Sequence, residues 1–349
     1  MQYIRVNESN AEKTKRKLLH SALFDAQRRV KHSPSYVYFP ILSISRNRIK
    51  KLLEGSGAEL VEEKEGAARQ EKRSYSEMLK SVTSKKEYES MPRSYDILGN
   101  IAVIAKREKL MGKEKELARV IMRIHPNVKT VVAKGGGISG KFRTREFKHV
   151  LGKRNFIATY RENGCAFTFD VRKTFFSNRL AFERSRIMGL VKGGERIAVL
   201  FAGVGPFAIE IAKRNPKTEI IAVELNPYSY KAMKENIKIN KVKNVTAVKA
   251  DVKKPPARLR NFADRIIVPM PTASTEFLDS IARIARKTAV VHLYSFVKLE
   301  NMAGETMGKV IEHARKKGYK TKLLFTRKVT PYSHGDVEIV VDYKITKKK

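Results

Sequence analysis

Val199-Leu200-Phe201-Ala202-Gly203-Val204-Gly205-Pro206-Phe207 decides the fold of this 349-residue chain. The apolar run 196–201 reads as a strand and 207–214 as a helix, so the glycines sit in the turn between them. With Ala208 the turn fits G-x-G-x-x-[GA]. Glycine lets the backbone approach a ligand closely, and a helix N-terminus favours an anionic group such as a carboxylate. By itself the turn suits a nicotinamide dinucleotide as well as S-adenosylmethionine.

Strand–helix alternation extends on both sides of the turn. A helix at 180–190 precedes it. Strand 219–223, helix 227–240, strands 245–250 and 263–268, helix 275–286, strand 290–295 and helix 302–317 follow. This order predicts a parallel sheet with helices on both faces. The last strands, 320–326 and 337–345, have no helix between them. They predict a terminal antiparallel hairpin, which favours a methyltransferase-type sheet over a dehydrogenase.

Ligand-type residues recur at the strand ends. Glu224 lies about 20 residues past the glycines, where a carboxylate can bond both hydroxyls of a ribose. Asp251 ends the next strand and can accept from an adenine amino group; Pro269-Met270-Pro271 ends the fourth. Either carboxylate alone could be a solvated strand-end charge, but four adjoining strand ends mark the ligand edge of a parallel sheet.

Upstream, 11–31 reads as a helix and 37–42 as a strand. Glu, Lys, Ser and Arg dominate 61–90, which reads as a solvated helix or linker with the domain boundary near 85–92. A second unit begins with a turn and strand at 94–104. Helix 113–124 is stopped by Pro126, and strand 128–133, the break Gly135-Gly136-Gly137 and strands 156–160 and 166–171 around Asn163-Gly164 complete an α+β module. The expected organisation is α/β: a small N-terminal domain over 1–70, a charged linker over 71–92, a small α+β middle domain over 93–172, and a Rossmann-like class I methyltransferase domain with its terminal antiparallel hairpin over 173–349.

Lys and Arg number 73 against 35 Asp and Glu, a formal net charge of +38. Such an excess points to a polyanion, either nucleic acid or an anionic membrane surface. The cations are spread: Lys13, Lys15, Arg16 and Lys17; Arg46, Arg48, Lys50 and Lys51; Lys141, Arg143, Arg145, Lys148, Lys153 and Arg154; Lys347 to Lys349. That spread fits a large folded polyanion touched by several domains. No stretch approaches the roughly 20 apolar residues of a membrane span, and the N-terminus lacks a signal-peptide run, so a cytoplasmic protein is expected. The lone Cys165 excludes an intrachain disulfide and a Cys-based zinc site, and the seven His show no metal-ligand spacing. No metal is expected.

The segment 201–207 and Asn226-Pro227, with Asn236 and Asn240, resemble the archaeal and eukaryotic tRNA (guanine-37-N1)-methyltransferase family. Ser94 to Gly99, Gly140 to Glu146 and Glu162-Asn163-Gly164 are similar to its middle domain, Phe176 to Leu180 with Glu183-Arg184 to its pre-helix segment, and 15–41 to its N-terminal tRNA-contacting domain. The resemblance covers nearly the whole chain. It implies S-adenosylmethionine as cofactor, tRNA as partner and methyl transfer to N1 of guanine 37; a monomer without membrane attachment is expected. It implies that Arg184, Phe201, Gly203, Gly205, Glu224, Leu225, Asp251, Val252 and Pro269 meet the cofactor. Arg145 would sit near guanine O6, and Glu183 would take the N1 proton. These types suit the chemistry: N1 must lose a proton before it attacks a methyl group, and a guanidinium can stabilise the charge that moves to O6.

The chain departs from the family pattern at three places. Leu200 stands where an acidic residue is usual, Pro269-Met270-Pro271 replaces Asn-Leu-Pro, and Phe176 replaces Tyr. Pro269 offers neither a side-chain amide nor a backbone N–H. Other readings stay open: methyl or aminocarboxypropyl transfer in the tricyclic wyosine pathway, and a non-catalytic tRNA-binding homologue, to which Leu200 and Pro269 point. An NAD-dependent oxidoreductase would need a catalytic proton donor that the sequence does not offer.

Overall fold

The computed structural model describes residues 2–21, 23–25, 30–33, 35–42, 49, 53–62, 75–90, 94–104, 113–137, 140, 142–272, 274–298, 304–331 and 335–347. Arg46, Arg48, Lys50, Lys51, Lys141, Lys348 and Lys349 lie outside them. The chain divides into two compact units, Met1–Ser74 and Tyr75–Lys349.

In the first unit β1 (Gln2–Asn7), β2 (Lys31–His32), β3 (Tyr36–Pro40) and β4 (Glu59–Glu62) form an antiparallel sheet, order β2-β3-β1-β4, and α1 (Ala11–His20) follows β1. Ile4, Val6, Leu18, Val37 and Phe39 build its core. Helix α1 ends at His20, eleven residues before the expected 31. Ser21 donates its hydroxyl back to the Lys17 and Leu18 carbonyls, and Phe24 then bridges Ile41, which turns the chain into sheet pairing.

The second unit opens with α2 (Tyr75–Val82) and α3 (Lys85–Ser90), in the stretch expected to be a solvated helix or a charged linker over 71–92. Tyr75, Met78 and Leu79 recur at helical spacing, and Leu79 is buried against Leu117 and Ile121. The surrounding charge hides this three-residue apolar stripe in the sequence. Ser84 and Glu87 exchange side-chain-to-backbone hydrogen bonds, a capping box that starts α3. Next come β5 (Tyr95–Leu98), β6 (Ile101–Ile104), α4 (Glu114–Ile124), β7 (Thr130–Lys134) and β8 (Phe147–Gly152), in sheet order β5-β6-β7-β8. The pair β6–β7 is parallel, with α4 as the crossover. Hairpin β9 (Ile157–Glu162) and β10 (Cys165–Asp170) turns on Asn163 and Gly164, both at positive φ as a two-residue hairpin loop of this hand requires.

This hairpin is a separate two-stranded sheet, and its apolar residues share one core with Val103 and Val132 of the middle sheet, with Val204 of the glycine turn and with Ile209 just after it.

The remaining chain gives α5 (Ala181–Leu190), β11 (Arg196–Leu200), α6 (Pro206–Arg214), β12 (Glu219–Glu224), α7 (Pro227–Ile239), β13 (Val245–Lys249), β14 (Ala263–Val268), α8 (Leu278–Ile284), β15 (Ala285–Lys298), α9 (Gly304–Lys316), β16 (Tyr319–Pro331) and β17 (Asp336–Lys347). The seven strands lie in the order β13-β12-β11-β14-β15-β17-β16. The first five are parallel, and β17 runs antiparallel to β15 and β16. This is the Rossmann-like methyltransferase sheet with its terminal hairpin. Its central strands are buried on both faces, which is why they read as continuous apolar runs such as Ile197-Ala198-Val199-Leu200. The strand order reverses between β11 and β14, and such switch points open a crevice at the carboxyl ends of the strands.

Candidate functional site

A cavity of about 600 Å³ opens at that switch point. Its volume falls in the range of small-molecule sites. The sheet supplies Phe201, Gly203, Glu224, Leu225, Asp251, Val252, Pro269, Met270 and Pro271; the middle module supplies Asp96, Lys134, Arg143, Arg145 and Phe147.

The turn after β11 is shaped by backbone conformation. Phe201, Gly203 and Gly205 all have positive φ, at 52°, 58° and 93°. The two glycines do different work. Gly203 lines the cavity, and a Cβ there would come no nearer than 3.7 Å to another residue's atom. Gly205, expected at the cofactor, is absent from the lining. It caps α6, and a Cβ on it would stand 2.9 Å from Met233 Cγ.

Glu224 fastens this turn. One carboxylate oxygen accepts from Gly203 N–H and the other from Asn226 N–H, both at 2.7 Å. Burial raises the Glu224 carboxyl above its ordinary range, against the pull of the Asn226, Gly203 and Leu225 N–H groups. Asp251 accepts from the Lys253 N–H at 2.9 Å and holds a short turn at the next strand end. Asn226 caps α7 through Tyr228 N–H and donates to the Lys173 carbonyl at 2.8 Å. Further along α7, Asn236 accepts from Thr168 N–H and donates to the Val204 carbonyl, while Asn240 exchanges two bonds with Ala166. The helix thus serves β10 as a substitute neighbouring strand.

Leu200, the last residue of β11, is wholly buried in the core and is not among the residues that line the cavity. Phe176 stacks on Phe169 at 4.8 Å and meets Tyr160 edge-on at 4.9 Å, which makes it an aromatic wall.

Glu183 and Arg184 do not reach the cavity. They are consecutive residues on α5, about 100° apart around the helix, and each enters a different buried network. Arg184, only 2% exposed, donates to both oxygens of Glu162 (2.5 and 2.8 Å) and to the Ser177 carbonyl, with Glu210 3.5 Å away. Burial and the neighbouring Glu162 push the Glu210 carboxyl up, while Asn163 and Arg184 oppose the rise. Asn163 donates to Glu210 at 2.7 Å. The segment Glu162-Asn163-Gly164 therefore serves a buried ion cluster and a turn. Glu183, expected as the base, accepts from Arg186 at 3.0 Å and from the Tyr294 hydroxyl at 2.9 Å, with Arg327 at 3.3 Å.

The cavity holds a carboxylate that the sequence reading missed. Glu338 on β17 lines it beside Thr330 and Phe296. The signal was a single acid inside the apolar strand Val337-Glu338-Ile339-Val340-Val341. Among the described residues no group of His, Cys, Asp and Glu gathers as metal ligands, and no helix is long and apolar enough to cross a membrane.

Three family models match the chain: the TRM5/TYW2 methyltransferase domain over 158–323, the TYW2 N-terminal domain over 75–155, and the tRNA methyltransferase 5 N-terminal domain over 4–50. The second begins at the first residue of α2. The tRNA (guanine(37)-N(1))-methyltransferase Trm5b of Pyrococcus abyssi is 33% identical over 344 residues, covering 98% of each chain. The solved complex of aTrm5 with tRNALeu matches with a TM-score of 0.68 at 26% identity over 99% of both chains. Methanocaldococcus jannaschii Trm5 in complex with adenosine matches with a TM-score of 0.64 at 26% identity over 100% of both.

Proposed function

The chain belongs to the archaeal/eukaryotic-type Trm5 family of tRNA methyltransferases, and from that premise we propose that it methylates N1 of guanine 37 in tRNA with S-adenosylmethionine as donor. One observation carries the proposal. A single cavity joins the glycine turn, Glu224 and Asp251 of the sheet to Arg145 of the middle module.

The residues fit the cofactor. Gly203 leaves the turn open to close approach. Glu224 spends one lone pair of each oxygen on the backbone and keeps others for ribose hydroxyls. Asp251, Leu225 and Val252 stand at the neighbouring strand ends, where an adenine would lie. The adenosine complex of the Methanocaldococcus relative supports that choice. S-adenosylmethionine supplies a methyl group already bonded to a positively charged sulfonium.

Guanine then needs a donor at O6 and an acceptor for the N1 proton. Arg145 takes the first role: charge gathers on O6 as N1–H ionises, and a guanidinium in a confined cavity stabilises it. The resemblance gives the second role to Glu183, which stands on α5 and accepts from Arg186 and from the Tyr294 hydroxyl. The tRNA binds through the cationic surface, including Lys13, Lys15 and Arg16 on the exposed side of α1; the aTrm5–tRNALeu complex supports this partner.

Nucleoside mass spectrometry of unmodified tRNA incubated with protein and S-adenosylmethionine tests the reading. N1-methylguanosine is expected from tRNA with guanine at 37 and from no tRNA lacking it. Arg145→Ala should lower kcat about 100- to 1,000-fold, with cofactor affinity unchanged. An aminocarboxypropyl mass increment, or no product from any tRNA, would overturn the proposal.

A further inference from the structure

We propose that Asp342 is a positioning residue for the methyl transfer: it shares the Arg186 guanidinium with Glu183 and thereby tunes Glu183 as the acceptor of the guanine N1 proton. The assignment rests on the methyltransferase reading above. Asp342 stands on β17, directly paired across the sheet with His292 on β15. His292 and Tyr294, two residues apart on that strand, point to the same face of the sheet. Against that face α5 lays Glu183 and Arg186.

A continuous row of polar groups results. Arg186 donates from Nε to Glu183 Oε2 at 3.0 Å and from Nη1 to Asp342 Oδ2 at 2.7 Å. Its Nη2 reaches the other Asp342 oxygen at 3.4 Å, so the pair is forked. His292 Nδ1 faces Asp342 Oδ1 at 2.7 Å, and its Nε2 meets Arg265 Nη1 at 2.7 Å. Arg265 ends the row on Glu195, at 2.6 and 3.0 Å. Glu183, Asp342, His292 and Arg265 are all less than a tenth exposed. Taking so many charges out of water is costly, and apolar side chains of similar volume often hold a core as well or better. What the row does beyond packing is to set the charge around the carboxylate at its end.

The chemistry of the row fixes its protons. Arg265 can only donate, so His292 Nε2 accepts, and the proton of the neutral ring sits on Nδ1, toward Asp342. Burial holds the His292 ring below its ordinary range; Asp342 opposes this, while Arg265 and Arg186 add to it. Burial would raise Asp342, but His292 and Arg186 outweigh it and hold the carboxyl below its usual range. Asp342 is therefore a fixed negative charge on the Nη edge of the same guanidinium whose Nε holds Glu183.

The groups around Glu183 come from four elements: Arg186 on α5 itself, Tyr294 on β15, Arg327 on β16, and Asp342 and Glu338 on β17. Arg186 and Tyr294 take Oε2. Oε1 accepts no hydrogen bond among the described residues, with Arg327 3.3 Å away, and so has lone pairs for the N1 proton. Two guanidiniums alone would stabilise the carboxylate so far that it bound a proton weakly. Asp342 offsets one of them. In the step itself the N1–H bond breaks, the proton passes to Glu183, and the electron pair stays on N1 to bond the methyl carbon. The pair of the methyl–sulfur bond leaves with sulfur.

Single-turnover methylation of unmodified tRNA, followed across the pH range with the folded fraction measured alongside, tests the assignment. The rate should rise with pH as the base ionises. Asp342→Asn keeps the shape and removes the charge, which leaves Arg186 wholly to Glu183. Its limb should move down by about one pH unit. Its plateau rate per folded molecule should fall by up to about tenfold, the ceiling for one unit of base strength. Asp342→Glu restores the charge and should bring the midpoint back toward that of the unaltered protein, whereas a role in shape alone would favour Asn over Glu. Nitrogen-15 NMR should show a neutral His292 ring with its proton on Nδ1. An Asp342→Asn protein with an unmoved midpoint and plateau overturns the assignment, as does a rate loss matched by the unfolded fraction alone. A ring protonated on Nε2 overturns the row on which it stands. Glu183→Gln with the full rate and limb overturns Glu183 as the base, and absence of methylguanosine from the unaltered protein overturns the methyltransferase reading itself.

Discussion

A single methyl group separates the two glycines of the cofactor turn in their consequences. At 205 it would meet Met233 Cγ at 2.9 Å and Ile209 Cδ1 at 3.0 Å, on a backbone held at φ 93°. Gly205→Ala should therefore cost about 1–3 kcal/mol, read from the midpoint of urea unfolding. At 203 the nearest atom is 3.7 Å away, but the position lines the cavity. Gly203→Ala should lose more cofactor affinity and less stability than Gly205→Ala. Calorimetry beside the unfolding curves checks the pair, and the reverse order would contradict this division of labour. The motif placed both glycines correctly in the turn. It could not say which one faces the ligand, because that depends on where Met233 arrives from another helix. Glu224 and Asp251 were legible because strand-end acids follow from strand order. Glu338 was not, because its place on the cavity wall comes from the return of the last strand to that edge.

At the scale of the element, periodicity located nearly every strand and helix of the methyltransferase sheet, and it failed where charge or local bonding outweighed it. The apolar stripe of α2 is too short to stand out among Glu, Lys and Ser, yet it closes the middle core. Helix α1 stops at His20 because Ser21 and the Phe24 bridge offer the chain a better set of bonds. On α5 the sequence showed two charged neighbours but not their opposite destinations. The buried position of Arg184 makes a definite stability prediction. Arg184→Met leaves Glu162 buried without its partner and should destabilise the fold by about 3–5 kcal/mol, and adding Glu162→Gln should recover much of that loss. Urea unfolding of the single and double variants measures it. Cofactor affinity per folded molecule should not change; a large loss would restore Arg184 as a cofactor contact.

The whole molecule carries +38, and that charge belongs to the search for a polyanion rather than to the fold. Binding of tRNA should weaken about 1,000-fold or more between 50 and 200 mM salt, because each neutralised phosphate releases counterions. Equilibrium binding over that range checks this, and a flat response would mean that the excess charge lies away from the RNA. The composition made a polyanionic partner legible and the family resemblance named it as tRNA; neither could show that the middle module and the sheet share one cavity, since residues as distant in sequence as Arg143 and Glu338 meet only through topology. Helix α7 is one of the joints behind that topology. Asn226 sets its start and reaches Lys173, while Asn236 and Asn240, about one turn apart, grip β10. One inserted residue between Asn226 and Asn236 would rotate the grip by about 100° relative to the start, so that both attachments could not be made at once. The side chains of this helix are thus free to drift wherever they face solvent, but its length is not. Among descendants of this fold, a gap inside α7 would signal that the middle module and the sheet had parted company.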